Sequence, residues 1–314
     1  MGKNGHTGKY VSGKKDFAKK VRHCWQLYVL LAPTVVYLLI FCYLPMLGIQ
    51  IAFRDYTAVG GIWGSAWVGW KHFLRFFSSP QFKVLIINTL KISVYSLIWG
   101  FPLPIILALF INECRFRRLK KVVQSLTYAP YFISTVVLVS MMTLFLNEDT
   151  GVINLLVEAL GREPQNFMGN AGAFRSIYVI SGIWQSCGWS SIIYIAALSG
   201  VDIQLHEAAR IDGANRLQRT WYVDLPSIMP TVITVLILNC GRILSVGYEK
   251  VFLMQNTMNQ SVSEVISTYV YKVGLLGAQY SYTTAISLFN SVINIIVLIA
   301  VNHIAKRTSE VSLF

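Results

Sequence analysis

The sequence predicts an all-helical membrane protein with six transmembrane helices, and its composition and charge distribution lead to this prediction. Apolar residues make up 54% of the 314 residues, only 13% are charged, and the mean hydropathy is +0.54. A soluble domain would have about 25% charged residues. The charged residues are also clustered, which leaves long stretches almost free of them. Such stretches are typical of helices in lipid, where backbone polar groups must be bonded within their own helix.

Six stretches are long enough to cross the hydrocarbon core, which takes about 20 apolar residues. They are residues 26–51, 90–112, 122–146, 174–199, 227–248 and 279–302. Prolines inside them are expected to kink the helices rather than end them, because neighbouring helices can bond the freed carbonyl groups. We expect a basic segment over residues 1–25, a six-helix domain over 26–302 and a tail over 303–314. The first apolar stretch is too long for the core of a signal peptide, so we interpret it as a retained span.

The distribution of lysine and arginine predicts the orientation of the chain. Most of these 27 residues lie before the first span, over residues 113–121, in the loop over 201–226, or after residue 302. Cytoplasmic loops have an excess of both residue types. We therefore expect both termini in the cytoplasm, with anionic lipid near the basic segments. The net charge of +13 does not indicate nucleic-acid binding, because the sequence has no soluble basic surface interleaved with aromatic residues.

The sequence contains no pattern that predicts a catalytic or metal site. Its five cysteines form no Cys-x-x-Cys pair, and its five histidines fall in termini or loops. Acidic residues avoid the six stretches almost entirely, which disfavours the alternative of a secondary transporter. Residues 8–15 approach a phosphate-binding loop, but Lys15 stands where a serine or threonine would bind Mg²⁺. We expect that this chain binds no cofactor and is not an enzyme.

The loop over residues 201–226 has the strongest local pattern. Asp202 can cap a short helix, and Gly213 suits a turn with positive φ at the end of that helix. A second short helix is expected from Ala214, and Leu225 with Pro226 would open the fifth span, where proline is tolerated.

The alanines between Glu207 and Arg210 suit a helix that inserts into a groove of another protein. The spacing fits an amphipathic helix on the lipid surface equally well.

The same loop resembles the signature of binding-protein-dependent ABC transporter permeases. That signature is Glu-Ala-Ala, three residues, Gly, nine residues, and a hydrophobic residue followed by x-Leu-Pro. The resemblance implies that a separate ATPase acts on this loop. The residues of this coupling loop are Glu207, Ala208, Ala209, Arg210, Asp212, Gly213, Leu225 and Pro226.

The resemblance extends over nearly the whole chain to the sugar-importing, maltose-permease-like branch, and within it to the LplB-like polysaccharide permeases. The supporting stretches are residues 44–56, 68–73, 88–89, 128–135, 181–185 and 279–282. The resemblance implies a second related permease, two cytoplasmic ATPase subunits that hold ATP and Mg²⁺, an extracytoplasmic sugar-binding protein, and a bacterial inner membrane. It implies an oligosaccharide or polysaccharide fragment as cargo. A monosaccharide or glycerol phosphate stays open as an alternative.

Resemblance to maltose-type permeases also implies a sugar pathway along the middle of the fourth span and the outer half of the fifth. The candidates are Gln185, Ser186, Trp189, Cys240, Arg242, Leu244, Gly247 and Tyr248. Each could instead serve helix packing. Leu244 and Gly247 stand where the maltose pattern has asparagines, so a maltose-like specificity is not expected. Arg242 is an ionisable residue within a predicted span, where it would either bind an acidic sugar or pair with Glu249.

Overall fold

Helices make up most of the structure, a computed structural model that describes residues 24–309 and Leu313. Most of the basic segment, including the stretch at residues 8–15, lies outside the described residues. Within them, four helices are long and apolar enough to cross a membrane, and two bent helix pairs raise the number to six if each counts as one span. We number the spans 1 to 6: Trp25–Phe53, Pro80–Glu113, Arg117–Phe132 with Thr135–Phe145, Ala171–Ser199, Arg216–Cys240 and Tyr280–Ser309.

Prolines lie within spans 1 and 2 without ending them, as predicted. In span 1 the α-helix Trp25–Tyr37 widens into π turns over Leu38–Tyr43 and then tightens into 3₁₀ turns over Leu44–Phe53. Span 2 consists of the α-helices Pro80–Gly100 and Pro102–Glu113, which meet at a helical Phe101.

Span 3 differs from the single kinked helix predicted over residues 122–146. Its α-helix Arg117–Tyr128 passes into a 3₁₀ turn over Ala129–Phe132, and the helix Thr135–Phe145 then leaves at 100°. Pro130 lies in that turn, where it removes an N–H donor and its ring crowds the preceding turn. The hydroxyl of Ser134 starts the new helix by accepting from the N–H of Val137 at 3.3 Å.

Spans 5 and 6 begin and end at residues other than those predicted, which were 227–248 and 279–302. Span 5 begins at Arg216 and ends at Cys240, and within it π turns over Thr220–Asp224 join two α-helices. Span 6 continues to Ser309, past the predicted end at residue 302.

Short elements connect the spans. Strands Arg54–Asp55 and Ala66–Trp67 pair antiparallel between spans 1 and 2. The helix Lys71–Phe77 follows them, and it buries His72, Phe73 and Phe76 while Leu74 and Phe77 stay exposed. The other short helices are Gly61–Gly64, Val152–Ala159, Ile203–Ile211, Tyr248–Met254, Gln260–Ser263 and Ile266–Val270, the last followed by π turns over Tyr271–Leu276.

Of the four apolar cores among the described residues, two lie at different levels of the bundle along span 4. One joins spans 2, 3 and 4 to the segment after span 5, and its buried residues include Ile92, Met142, Phe174, Val251 and Met254. The other joins spans 2, 4 and 5, and its buried residues are Ile105, Ala108, Tyr194, Leu198, Ile228 and Val232. Because the first core uses the early residues of span 4 and the second uses the late ones, space is left between them.

Two polar residues of span 2 hold the segment between spans 5 and 6. The buried amide of Asn88 donates to the carbonyl groups of Ser261 and Glu264, at 2.9 and 3.1 Å. The hydroxyl of Thr89 accepts from the N–H of Ile266 at 3.1 Å. These bonds satisfy backbone groups where the chain is not regularly helical.

Candidate functional site

The loop over residues 201–226 contains the predicted helix and turn. The helix Ile203–Ile211 begins three residues after span 4 and lies at 73° to it. The carboxylate of Asp202 accepts from the N–H of Gln204 at 2.9 Å. Gly213 has φ +79°, and the N–H of Ala214 donates back to the carbonyl of Ala209 at 2.9 Å, which closes the helix end.

The second half of the loop is continuous with span 5. Asn215 and Gln218 form a reciprocal capping box, so the helix begins at Arg216, close to the expected start. The regular α-helix Leu225–Cys240 opens at Leu225 with Pro226 in its first turn, as predicted, although the helical span as a whole already begins at Arg216. Pro226 is accommodated because the π turns just before it already depart from the regular α-helical bonding pattern.

The surface of the loop is unusually apolar for a segment outside the spans. Ile211 is 87% exposed, and Ile203 and Leu217 are also largely exposed. Glu207, Ala208 and Arg210 are exposed on the same short helix, and Asp212 follows them. Apolar side chains rimmed by charges are typical of a protein-binding surface.

A contact between a histidine and a buried aspartate joins the loop helix to span 5. Nε2 of His206 lies 3.2 Å from Oδ1 of Asp224, whose side chain is 1% exposed. Beside it a cavity of about 630 Å³ separates the loop from the end of span 2, and its charged lining residues are Glu113, Arg115, Arg210, Arg216 and Arg219. The sequence gives no sign of the pair, because its two members are 18 residues apart with no shared motif spacing.

A second cavity, of about 660 Å³, lies between the two apolar cores. Spans 2, 4 and 5 and the turn over residues 241–247 line it. Three predicted pathway residues, Ser186, Arg242 and Gly247, are in its wall. Its other polar residues are Ser93, Ser96, Tyr178, Ser190, Tyr194, Asn239 and Ser245. Hydroxyl groups, an amide and one cation are suited to a hydroxyl-rich or anionic cargo.

The other predicted pathway residues do not line this cavity. The amide of Gln185 donates to the carbonyl of Ile133 at 2.8 Å. Trp189 stacks on Tyr131, with ring centroids 4.5 Å apart. Leu244 and Cys240 are buried, and Tyr248 packs against Tyr271 with ring centroids 4.9 Å apart.

Arg242 lies just beyond the end of span 5 rather than within it, since the helix ends at Cys240. It is exposed, and among the described residues it forms no ion pair with Glu249. Asn294 of span 6 holds the turn around Arg242 by accepting from the N–H of Leu244 at 3.0 Å. Sequence reasoning missed Asn239 and Asn294, although single amides within apolar stretches are a recognisable signal.

A buried lysine lies next to this cavity. Lys250 lies in the short helix after span 5, where its ammonium donates to the carbonyl of Tyr178 at 2.9 Å and lies 4.7 Å from the ring centroid of that residue. Burial lowers the pKa of Lys250 to about 8. In the described part of the chain, no group of three or more His, Cys, Asp or Glu residues is placed to hold a metal ion.

The fold and loop match known transport proteins. The family model for the binding-protein-dependent transport system inner membrane component matches residues 100–310. Protein LplB of Bacillus subtilis (strain 168) is 44% identical over 288 residues, covering 92% of this chain and 91% of its own length. The polygalacturonan/rhamnogalacturonan transport system permease protein YteP of the same organism is also 44% identical over 288 residues, covering 92% of this chain and 90% of its own.

Solved structures extend the similarity to the whole fold. The chain is 38% identical, with a TM-score of 0.86, to a chain in the crystal structure of a bacterial ABC transporter involved in the import of the acidic polysaccharide alginate. That match covers 93% of this chain and 99% of the other. A second crystal structure shows a bacterial alginate ABC transporter in complex with an alginate pentasaccharide-bound periplasmic protein, again with a TM-score of 0.86. From the family match and the two relatives, this chain belongs to the binding-protein-dependent transport system inner membrane components, the permease subunits of ABC importers.

Proposed function

We propose that this permease imports an oligosaccharide or polysaccharide fragment that an extracytoplasmic binding protein delivers and that a separate ATPase drives across the membrane. The observation that carries the proposal is the exposed apolar and charged surface of the loop helix Ile203–Ile211, which nothing in the described chain covers. The cargoes named for similar transporters, polygalacturonan or rhamnogalacturonan for one and alginate for another, support a saccharide.

The loop would receive the ATPase in the cytoplasm. Both termini lie on that side, in line with the excess of lysine and arginine in the same segments. Two ATPase subunits bind ATP and Mg²⁺, and this chain binds no cofactor and catalyses no reaction. Closure of the ATPase pair displaces the loop helix, and the short connection from Ser199 to Asp202 passes the displacement to span 4.

A second, related permease would complete the pathway. Span 1 is the main support, because in the described chain it has no buried residue before Ala52. Its exposed apolar side chains therefore need a neighbour other than water, either lipid or the partner permease.

The cargo would occupy the cavity between the two apolar cores. Its serine hydroxyls and Asn239 can bond sugar hydroxyls, and Arg242 can bond a carboxylate with two parallel N–H groups. Among the described residues, Arg242 forms no ion pair with Glu249. This supports an acidic saccharide, whose carboxylate would pair with the guanidinium of Arg242.

Coupling through the loop is tested by replacing Gly213 with proline. Proline requires φ near −65°, whereas Gly213 has φ +79° and donates its N–H to the carbonyl of Arg210 at 3.1 Å. We expect Gly213→Pro to abolish ATP-dependent uptake in proteoliposomes while the protein still inserts into the membrane.

Gly161→Pro is the matched control. Gly161 has φ +74° and donates to Glu158 at 2.8 Å, but it lies between spans 3 and 4, far along the chain from the loop. We expect it to keep uptake. Oligosaccharide uptake by the wild-type complex without its ATPase, or normal uptake by Gly213→Pro, would contradict the proposal.

A further inference from the structure

Four arginines surround the cavity of about 630 Å³ between the loop and the end of span 2. They come from three separate parts of the chain. Arg115 lies in the connection between spans 2 and 3, Arg210 on the loop helix, and Arg216 and Arg219 in the first turn of span 5. The fold therefore concentrates four positive charges from distant segments around one space.

The wall of this cavity has far more positive than negative charge. Among the described residues that line it, Glu113 has the only carboxylate. In the same part of the chain none of the four arginines forms an ion pair, and the buried Asp224 contacts His206 instead, at 3.2 Å. Like charges around one space repel each other, and an anion between them removes this repulsion. The cavity is therefore suited to an anion.

The arginines and the size of the space favour a phosphate group. A planar guanidinium has five N–H donors and bonds phosphate oxygens in pairs. One N–H of Arg219 donates to the carbonyl of Ala214 at 3.1 Å, which fixes this guanidinium at the wall. The cavity, at about 630 Å³, is also far larger than an ion the size of a water molecule requires, which is about 30 Å³.

The cavity lies at the level of the lipid headgroups. Span 4 is an α-helix of 29 residues, Ala171–Ser199. A rise of 1.5 Å per residue gives it a length of about 44 Å, and a bilayer with its headgroups is about 40–45 Å thick. The loop helix that borders the cavity begins at Ile203, soon after span 4 ends. The arginines are therefore within reach of headgroup phosphates.

Exposed apolar side chains accompany the arginines. Phe116 directly follows Arg115 and is 70% exposed, and Leu217 directly follows Arg216 and is 68% exposed. Ile203, also largely exposed, is in the wall itself. Apolar side chains beside cations suit a phospholipid, because its acyl chains need apolar neighbours while its phosphate needs donors.

We propose that this cavity is a binding site for a phosphate group, supplied by an anionic phospholipid of the inner leaflet or by a soluble phosphate ester, and that its occupancy regulates coupling. The proposal rests on the cytoplasmic loop and the separate ATPase proposed above. A phosphate bonded by Arg115 and Arg210 holds the loop helix beside the end of span 2. Without it the arginines repel one another and the loop helix yields when the ATPase displaces it, so less of the displacement reaches the spans.

Binding is measured on the purified complete transporter by native mass spectrometry, with dioctanoyl-phosphatidylglycerol as the probe. We expect saturable retention by the wild type. Hydrogen bonds to charged groups are strong enough that Arg115→Gln and Arg216→Gln should each weaken retention at least about tenfold. Arg118→Gln is the matched control, because Arg118 is an exposed arginine of the same basic segment outside the cavity wall. It should stay within about twofold of the wild type.

A competition experiment identifies the source of the phosphate. Displacement of the bound lipid by inorganic phosphate assigns the site to soluble phosphate esters. Retention of the lipid against inorganic phosphate assigns it to phospholipid, which is the result expected from the exposed apolar side chains.

Coupling is measured as oligosaccharide moved per ATP hydrolysed, in proteoliposomes of phosphatidylcholine with and without phosphatidylglycerol. We expect phosphatidylglycerol to raise this ratio about fivefold for the wild type and for Arg118→Gln. The double variant Arg115→Gln/Arg216→Gln should give the lower ratio in both kinds of vesicle. If the competition assigns the site to soluble phosphate esters, inorganic phosphate replaces phosphatidylglycerol in this assay.

Equal retention of phosphatidylglycerol by the wild type and both single variants overturns the proposal, as does equal retention of dioctanoyl-phosphatidylcholine, whose headgroup has no net charge. Retention only after removal of the ATPase also overturns it and makes acidic residues of the ATPase the occupant of the cavity. Binding is measured without transport, so the two proposals fail separately. If the wild type moves no oligosaccharide while arginine-dependent binding persists, only the proposed function fails. Normal uptake without arginine-dependent binding refutes the site alone.

Discussion

At the scale of single residues, polar side chains inside the bundle mainly bond irregular backbone. Gln185 bonds the carbonyl at the break of span 3, Asn88 bonds two carbonyls between spans 5 and 6, and Asn294 bonds the N–H of Leu244 beyond span 5. Each of these backbone groups would otherwise be unsatisfied where water is scarce. A lone amide in an apolar stretch of this chain thus indicates a nearby break in a helix.

Close contact at Gly188 gives a prediction about stability. An added methyl group would overlap the carbonyl of Thr127, and overpacking of this kind costs about 1–3 kcal/mol. We expect Gly188→Ala to lower the midpoint of thermal unfolding in detergent. Gly48→Ala is the control, because no atom lies within 4 Å of a β-carbon at Gly48. Equal unfolding midpoints for the two variants would show that spans 3 and 4 are not in direct contact.

The buried Lys250 predicts that the free energy of unfolding depends on pH. Its pKa is about 8 in the folded chain and 10.5 ordinarily, so the unfolded chain binds more protons between these two values. The free energy of unfolding should therefore rise with pH across this window, because the cost of burying the ammonium is relieved. We expect Lys250→Met to lose this rise in thermal unfolding scans from pH 8 to 10.5. The control Lys83→Met, at an exposed lysine, should keep the rise in stability with pH. Identical dependence of the unfolding midpoint on pH for the wild type and Lys250→Met would refute the lowered pKa of Lys250.

At the scale of elements, the loop helix is connected to two spans at once. It follows span 4 after three residues, and the pair between His206 and Asp224 joins it to span 5. A displacement of the loop helix is therefore transmitted to two walls of the cavity, one through the chain and one through this pair.

We predict that breaking the pair uncouples transport. His206→Ala removes the contact between the loop helix and the buried Asp224 of span 5, which should lower the cargo moved per ATP about tenfold, a loss of about 1.4 kcal/mol in coupling. Uptake and ATP hydrolysis in proteoliposomes measure this ratio. His303→Ala, on the exposed side of span 6, is the control. An unchanged ratio in His206→Ala would mean that the loop acts through span 4 alone.

At the scale of the whole molecule, the cavity lies between two separate apolar cores. Spans 2 and 4 contribute to both cores, whereas the second core alone contains residues of span 5. Packed interfaces of this kind change between discrete arrangements rather than deforming gradually. This arrangement allows the bundle to open on either side of a central cargo.

The charge of the cargo gives the prediction at this scale. Arg242 lines the cavity, and hydrogen bonds to charged groups contribute about 1.5–3 kcal/mol. We expect Arg242→Gln to lower uptake of a uronate-containing oligosaccharide at least about tenfold. Uptake of a neutral oligosaccharide of equal length should change little. Equal losses for both cargoes would assign Arg242 a structural role.

The sequence by itself determined the class of the protein, the positions of its long apolar helices, and the short helix and turn in the loop over residues 201–226. These depend on composition, on the length of apolar stretches and on local rules such as the cap at Asp202 and the positive φ of Gly213, all of which are properties of neighbouring residues. Residues far apart in the chain are joined only in the folded protein. The 100° break of span 3, the pair between His206 and Asp224, the stacking of Tyr131 on Trp189 and the cavity wall arise from contacts between different spans. Apolar periodicity identifies a helix that can cross a membrane, but only packing against the neighbouring spans determines which of its faces meets lipid, protein or cargo.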